Sequence, residues 1–343
     1  VLDIEDLIDL VDIAEPVVAQ SVPSDADTDT EQPAGFPANT LLIDLSSMLH
    51  TALYRAKNGT APGGVHNFLA KVGELLHEAI TLCGPCLTTV LVCEDSKPYA
   101  RSRLLSQYKK DRIPMRPEVR EVFESGNAGT LELIQKIGIP SVQCAEAEAD
   151  DVMADYTLRH LSEAINIWSP DSDLHFLHNA HPNLRQIHTK KGVFGLVKTD
   201  KEILSLRFPL LRGRLWLLPL YHAMTAGHNG AHKTPGLGPV SAEKFLGEVP
   251  DYVTDIYDAA EHILDTCWVT KILPCREYEK QITENLRLQT FPLQDLAMPE
   301  EYPSGIFTGP DDLRRTLFTL GAHVATHKAH CVPDQADQAN ASQ

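Results

Sequence analysis

The chain has 343 residues, 43% of them apolar, and carries 30 Lys and Arg against 47 Asp and Glu, a net charge of −17. That composition excludes a fibrous or wholly disordered chain and provides for one large domain or two smaller ones. No window approaches the roughly 18–20 uninterrupted apolar residues of a membrane span, and the acidic amino terminus lacks the basic-then-apolar pattern of a secretory signal, so a cytoplasmic protein without membrane contact is expected. Seven cysteines, an odd number spread along the chain, give no disulfide framework and fit a reducing compartment.

The charge is unevenly placed. Residues 1–38 contain ten acids and no Lys or Arg, which leaves the rest with 30 basic against 37 acidic side chains, a net of −7. Residues 1–15 mix apolar and acidic positions in a way compatible with one short amphipathic helix ended by Pro16. The Ser-, Thr-, Pro- and Asp-rich stretch from Gln20 to Asn39 reads as a flexible linker, so 1–39 is taken as an acidic tail. Val1 as first residue fits a processed or incomplete product.

Ordered structure is predicted to start with a buried strand at Leu41–Leu45, followed by a helix containing Leu49, Leu53 and Tyr54 and another from His66 to Leu82. Leu87–Asp95 gives a second strand. From Lys97 to Arg120 there are eight basic residues, a local patch in an acidic chain, and the stretch from Tyr99 to Gln107 within it is helical in pattern. Ile113-Pro114 breaks that pattern. A helix from Pro117 to Ile137 leads to a third strand at Ser141–Cys144, a helix from Asp150 to Leu161 to a fourth at Ile165–Ser169, and Arg185–Val197 reads as two short strands turning at Lys190-Lys191-Gly192. The fold class is α/β, a mostly parallel sheet with flanking helices. After Thr199 the pattern becomes helical, with a Gly-rich turn at 235–238.

Carboxylates recur at strand ends. Asp44 closes the first strand, Asp95 the second, Glu146-Ala147-Glu148-Ala149-Asp150-Asp151 follows the third, and Asp171 and Asp173 follow the fourth. Parallel strands end on one edge, where open α/β folds place their ligands. Two unit charges about 4 Å apart repel by about 4 kcal/mol at an effective dielectric near 20, so such a cluster calls for cations or protons. Oxygen-only ligands favour hard ions such as Mg²⁺ or Mn²⁺. A single one of these acids would read as a helix cap; their recurrence at four strand ends favours metal.

With these residues in view, Leu41 to Leu246 resembles the 5′ nucleases: bacteriophage 5′-to-3′ exonucleases, the 5′ nuclease domain of bacterial DNA polymerase I, and flap endonucleases. Glu148, Asp150 and Asp151 look like the family's Glu-Ala-Asp-Asp metal motif, Asp171 and Asp173 like its Ser-x-Asp-x-Asp motif, and Asp44 and Asp95 like its first two metal aspartates. Arg101 with Tyr108-Lys109-Lys110-Asp111-Arg112 is similar to the family's arginine and Tyr-Lys-x-x-Arg, beside a single-stranded 5′ end. Pro235-Gly236-Leu237-Gly238-Pro239-Val240-Ser241 resembles the turn of the helix-three-turn-helix that grips duplex DNA.

The resemblance implies a PIN-like nuclease core at 40–198, a helical DNA-binding region at 199–320 and a polar tail at 321–343. It implies a metal-dependent 5′-to-3′ exonuclease or 5′ flap endonuclease working by two-metal catalysis in replication or DNA processing, in a bacterial cell or a phage-infected host. Asp44, Asp95, Glu148, Asp150, Asp151, Asp171 and Asp173 would bind Mg²⁺ or Mn²⁺, and Arg101 and Lys109 would act on the phosphate. Tyr108, Lys110, Arg112, Gly236, Gly238 and Ser241 would contact DNA, with K⁺ at the helix-three-turn-helix. The DNA partner would carry a 5′ end or flap, with an RNA primer in a hybrid as a further substrate and a replication partner at the acidic tail.

The family's Gly-Asp-x-x-Asp before the Gly-rich turn is absent: His228 and Ala231 stand where acids are expected. His228 or His232 would then replace them as metal or phosphate ligands, or the second site would rest on Asp171, Asp173 and shared carboxylates. The competing readings are a noncatalytic DNA-structure-binding protein and a related PIN-like ribonuclease. Cys83-Gly84-Pro85-Cys86 spells a redox motif but ends a helix where that chemistry needs one to begin, so it reads as a helix-to-strand turn. His327, His330 and Cys331 lack a second ligand pair and read as a solvated tail. No Gly-rich nucleotide loop is present, so no nucleotide cofactor is implied.

Overall fold

The computed structural model describes residues 39–56, 64–84, 86–110, 114–189, 196–225, 234, 237–269, 276–293 and 295–303. Six strands, β1 (Asn39–Asp44), β2 (Leu87–Glu94), β3 (Ser141–Gln143), β4 (Ala164–Trp168), β5 (Leu184–Thr189) and β6 (Leu196–Thr199), form one sheet in the order β3-β2-β1-β4-β5-β6. All pairings are parallel except β5 with β6. The four strand ends expected to carry acids therefore share one edge. The β5–β6 turn, including Lys190-Lys191-Gly192, lies outside the described residues.

Side-chain alternation sorts the core into two layers. Leu41 and Ile43 of β1 and Val90 and Val92 of β2 pack with α1 (Leu45–Arg55), α2 (Gly64–Cys83) and α4 (Pro117–Lys136) on one face. Leu42, Leu91 and Cys93 face the other side, against Val152, Met153 and Tyr156 of α5 (Ala149–Arg159) and Leu177 of α6 (Leu177–Ala180). At Gly126 of α4 a Cβ would overlap the Phe68 ring of α2, so glycine is what lets these helices close on each other.

A separate helical core unites α7 (Lys201–Arg207), α8 (Leu218–Thr225), α9 (Pro239–Glu248), α10 (Ile256–Val269) and α11 (Arg276–Leu288) through Leu204, Leu220, Leu246, Ile263, Ile282 and Leu286. Beyond α11 the chain returns to the sheet: Phe291, Leu296, Met298 and Tyr302 pack in the α5 layer.

Two predicted helices are shorter than their patterns. In place of a helix from Tyr99 to Gln107, only α3 (Arg101–Leu104) forms, and turns carry the chain through 106–110, where Lys109 takes a left-handed φ of 56°. The helix expected to reach Leu161 ends at Arg159, capped by His160. The Cys83-to-Cys86 segment joins the end of α2 to β2, with Gly84 at φ 87° and burial pushing the Cys83 thiol up to about 12, the opposite of a reactive cysteine.

Candidate active site

Each acid at the sheet edge has its own local reason to be there. Asp44 is the last residue of β1 and caps α1: its Oδ1 accepts from the Ser47 amide at 3.0 Å, and its Oδ2 accepts from the Ser47 hydroxyl and from Ser169 Oγ at 3.4 Å. Asp95, just past β2, accepts from the Ala149 amide at 3.0 Å and from the Tyr99 hydroxyl at 3.3 Å, which ties the β2 end to the start of α5. Asp171 caps the 3₁₀ turn Ser172–Leu174 through the Asp173 amide at 2.9 Å. Buried Gln186 of β5 donates to the Ser169 and Asp171 carbonyls at 2.7 and 2.8 Å and so fixes the loop after β4.

The electrostatics mark these acids as one cluster. Burial raises the Asp44 carboxyl to about 6, partly offset by Ser47, with the charges of Asp95 and Asp171 adding to the rise. Asp150 is held well above the ordinary carboxylate range, first by burial and then by Asp171, Asp44 and Glu148. Asp173 is raised by burial and then by Asp171. Asp150 Oδ1 is sealed from solvent and has no hydrogen-bond partner among the described residues. An unsatisfied anionic oxygen among like charges is costly unless a cation completes it.

Asp151, one residue on, has the opposite environment. It is fully buried, and the Arg101 guanidinium donates to it through Nη1 at 2.5 Å and Nη2 at 2.9 Å. Its oxygens also accept from the amides of Glu148 and Leu293 at 3.1 and 2.8 Å. Consecutive helix residues point about 100° apart, and Asp151 faces the interior as the N3 member of a capping box.

Arg101 is buried with it, at 1% exposure. Besides Asp151 it donates to Glu148 Oε2 at 3.2 Å and to the Leu288 and Thr290 carbonyls at 3.1 and 3.0 Å, and it stacks on the Phe291 ring at 4.1 Å. Burial lowers its pKa, but the hydrogen bond and charge of Asp151, with Glu148, more than reverse that, so it stays ionised. Tyr108 is buried and donates to Glu148 Oε2 at 2.6 Å.

Lys109 stands at the boundary. Its ammonium pairs with Glu148 Oε1 and lies over the Tyr99 ring at 4.8 Å, while its side chain keeps 16% exposure. The left-handed backbone at Lys109 turns the chain so that consecutive residues 108 and 109 both reach Glu148, and such strain at a polar site is a mark of function. Lys110 is exposed. Arg112, Gly236, His228 and His232 lie outside the described residues. Gly238 precedes α9 with open space where a Cβ would sit, Pro239 opens the helix, and Ser241 is in its first turn, with no side-chain cap on the amides.

Among the described residues no three His, Cys, Asp or Glu side chains stand close enough to hold a metal ion as they are set. The expected ligands are therefore gathered without forming a finished cage. Their chemistry nevertheless fits a hard divalent cation: oxygen donors only, raised carboxyls and an orphaned Asp150 oxygen. Asp44, Asp95, Asp150, Asp171 and Asp173 would hold it, with Glu148 joining when Lys109 releases it. Sequence reasoning did not find Gln186 or Gln289, whose partners lie 15 to more than 100 positions away; Ser169 was legible within its Ser-x-Asp-x-Asp motif.

Residues 39–203 match the family described as "5'-3' exonuclease, N-terminal resolvase-like domain". A 5'-3' exonuclease of Streptomyces coelicolor is 26% identical over 224 residues, covering 62% of this chain and 72% of that protein. Among solved structures, T5 5'-exonuclease with bound zinc superposes with a TM-score of 0.55 at 14% identity, over 84% of this chain and 98% of that one. The bacteriophage T5 flap endonuclease, in a pseudo-enzyme-product complex with DNA and metal ions, gives 0.55 at 13% identity over the same shares. The fold is that of the PIN-like 5′ nucleases. The family match thus spans the sheet and its flanking helices, and the solved structures share that fold.

Proposed function

We propose that this protein is a metal-dependent 5′-to-3′ exonuclease and 5′ flap endonuclease that hydrolyses phosphodiester bonds of DNA in replication or DNA processing. The observation that carries the reading is the convergence at one sheet edge of Asp44, Asp150, Asp171 and Asp173, three of them raised by burial and mutual repulsion. A binding protein gains nothing from carboxylates that repel phosphate.

Two Mg²⁺ or Mn²⁺ ions, when bound, would lower the pKa of an attacking water and stabilise the leaving oxygen. The carboxylates fix where that charge sits. Ser47, Ser169 and the Ala149 amide orient Asp44 and Asp95, so that these ligands need little reorganisation. Lys109, once exchanged from Glu148, supplies a cation to the scissile phosphate. The Val240 and Ser241 amides at the start of α9 suit a duplex phosphate, held without sequence readout. Exposed Lys110, Arg116 and Arg120 lie along the chain beside Lys109 and suit a single-stranded 5′ end.

The test is cleavage of a 5′-flap DNA and a blunt duplex with Mg²⁺, Mn²⁺ or chelator. Products that need metal, with sizes distinguishing exonucleolytic from flap cutting, are expected. Flap binding without cleavage in either metal contradicts the proposal.

A further inference from the structure

Residues Leu288 to Leu293, at and just past the end of α11, touch the acidic site at five points. The Leu288 and Thr290 carbonyls accept from Arg101, the Phe291 ring stacks on it, and the Leu293 amide donates to Asp151. The fifth contact reaches a candidate ligand directly. With its amide nitrogen assigned toward Asp173, Gln289 donates to both carboxylate oxygens, at 3.1 and 3.0 Å. For an ionised Asp173 the opposite orientation sets the amide oxygen against two carboxylate oxygens, so the donor orientation is the one assigned. Gln289 is 3% exposed, and its backbone amide is held by the Asn285 carbonyl at 3.1 Å. Asn285 in turn donates to the Ala223 carbonyl of α8 at 3.0 Å, anchoring this end of α11 in the helical core.

We infer that Gln289 is a positioning residue for the metal site: its amide, donating to both oxygens, fixes the Asp173 carboxylate where a cation would meet it. The assignment rests on the nuclease reading above. A neutral donor suits this role because it satisfies Asp173 without competing for its charge, as a Lys or Arg would. The segment also joins the two halves of the site. The helical region sets Gln289, Gln289 sets Asp173, and through Arg101 the same six residues set the Asp151 face of α5.

The test uses the full chain with Gln289→Met, which keeps the side-chain length and removes the donor, and Gln289→Glu, which keeps the size and adds like charge. Mn²⁺ affinity by calorimetry and steady-state cleavage of a 5′-flap DNA are measured for each. The Met variant is expected to bind Mn²⁺ at least about tenfold more weakly and to lose a similar factor in kcat, with KM for DNA unchanged and a metal-free Tm near that of the wild type; the Glu variant is expected to lose more kcat. A purely packing role would lower Tm in the Met variant and leave Mn²⁺ affinity intact. Wild-type Mn²⁺ affinity and kcat in both variants overturn the inference while leaving the nuclease reading in place. A wild-type protein that neither binds Mn²⁺ nor cleaves overturns that reading itself. Should the Met variant fail to fold, the Glu variant decides by the same two readouts.

Discussion

Asp150 and Asp151 are neighbours in one helix turn, and the fold treats them in opposite ways. Asp150 turns toward Asp44 and Asp171, its Oδ1 buried and unpartnered and its carboxyl pushed up. Asp151 turns inward, with both oxygens saturated by Arg101 and two backbone amides. The first arrangement sacrifices stability and is poised for a cation. The second is a strut, in which the charge is already neutralised and hydrogen-bonded, as buried charges must be. The proposed site consists of an unsatisfied cluster held by a satisfied one.

Substitutions can break this contrast. The largest effect is expected from Asp150→Asn: loss of cleavage by about a thousandfold or more, since the residue faces the reacting centre, with the flap DNA still bound in a gel-shift assay. Lys109→Ala should reduce kcat by about 10²-fold, the usual cost of removing one electrostatic stabiliser, as read by single-turnover rates. Arg101→Met should leave Asp151 buried without its cation, costing about 3–5 kcal/mol in chemical denaturation.

pH sharpens the same contrast. A carboxyl raised from 3.8 to about 6, as at Asp44, binds its proton more tightly in the folded chain than in the unfolded one. Metal-free stability should therefore fall as pH rises through that window, and Asp44→Asn should remove this loss. His178 shows the reverse sign. Burial lowers it from 6.5 to about 4, so its contribution is present above 6.5 and lost as pH falls toward 4. His178→Phe should flatten the acid limb of a Tm-against-pH curve. The smallest effect is expected at α9, where Val240→Glu would place an anion by its exposed amides and weaken duplex binding a few-fold, most at low salt.

The parallel sheet and the shared edge were legible because buried strands and strand-end acids carry their pattern locally. Which member of Glu148-Ala149-Asp150-Asp151 faces the site was not, since neighbours in a motif are equivalent in a sequence and differ by about 100° on a helix. Arg101 looked like a phosphate contact because it sits in a basic stretch; its partners, Leu288 and Thr290, are 187 and 189 positions away. Gln289 carried no signal at all, being a lone neutral residue whose role comes from tertiary proximity to Asp173.

The account is tested most directly by the thermal unfolding of the wild type, Asp150→Asn and Asp151→Asn at pH 8, each with and without Mn²⁺. Asp150→Asn should melt at or above the wild-type Tm without metal and lose the Mn²⁺-induced rise. Asp151→Asn should melt well below it and keep that rise. The reverse pattern, with Asp151→Asn abolishing the metal shift and Asp150→Asn retaining it, would contradict the division of the site into an open cluster and its strut.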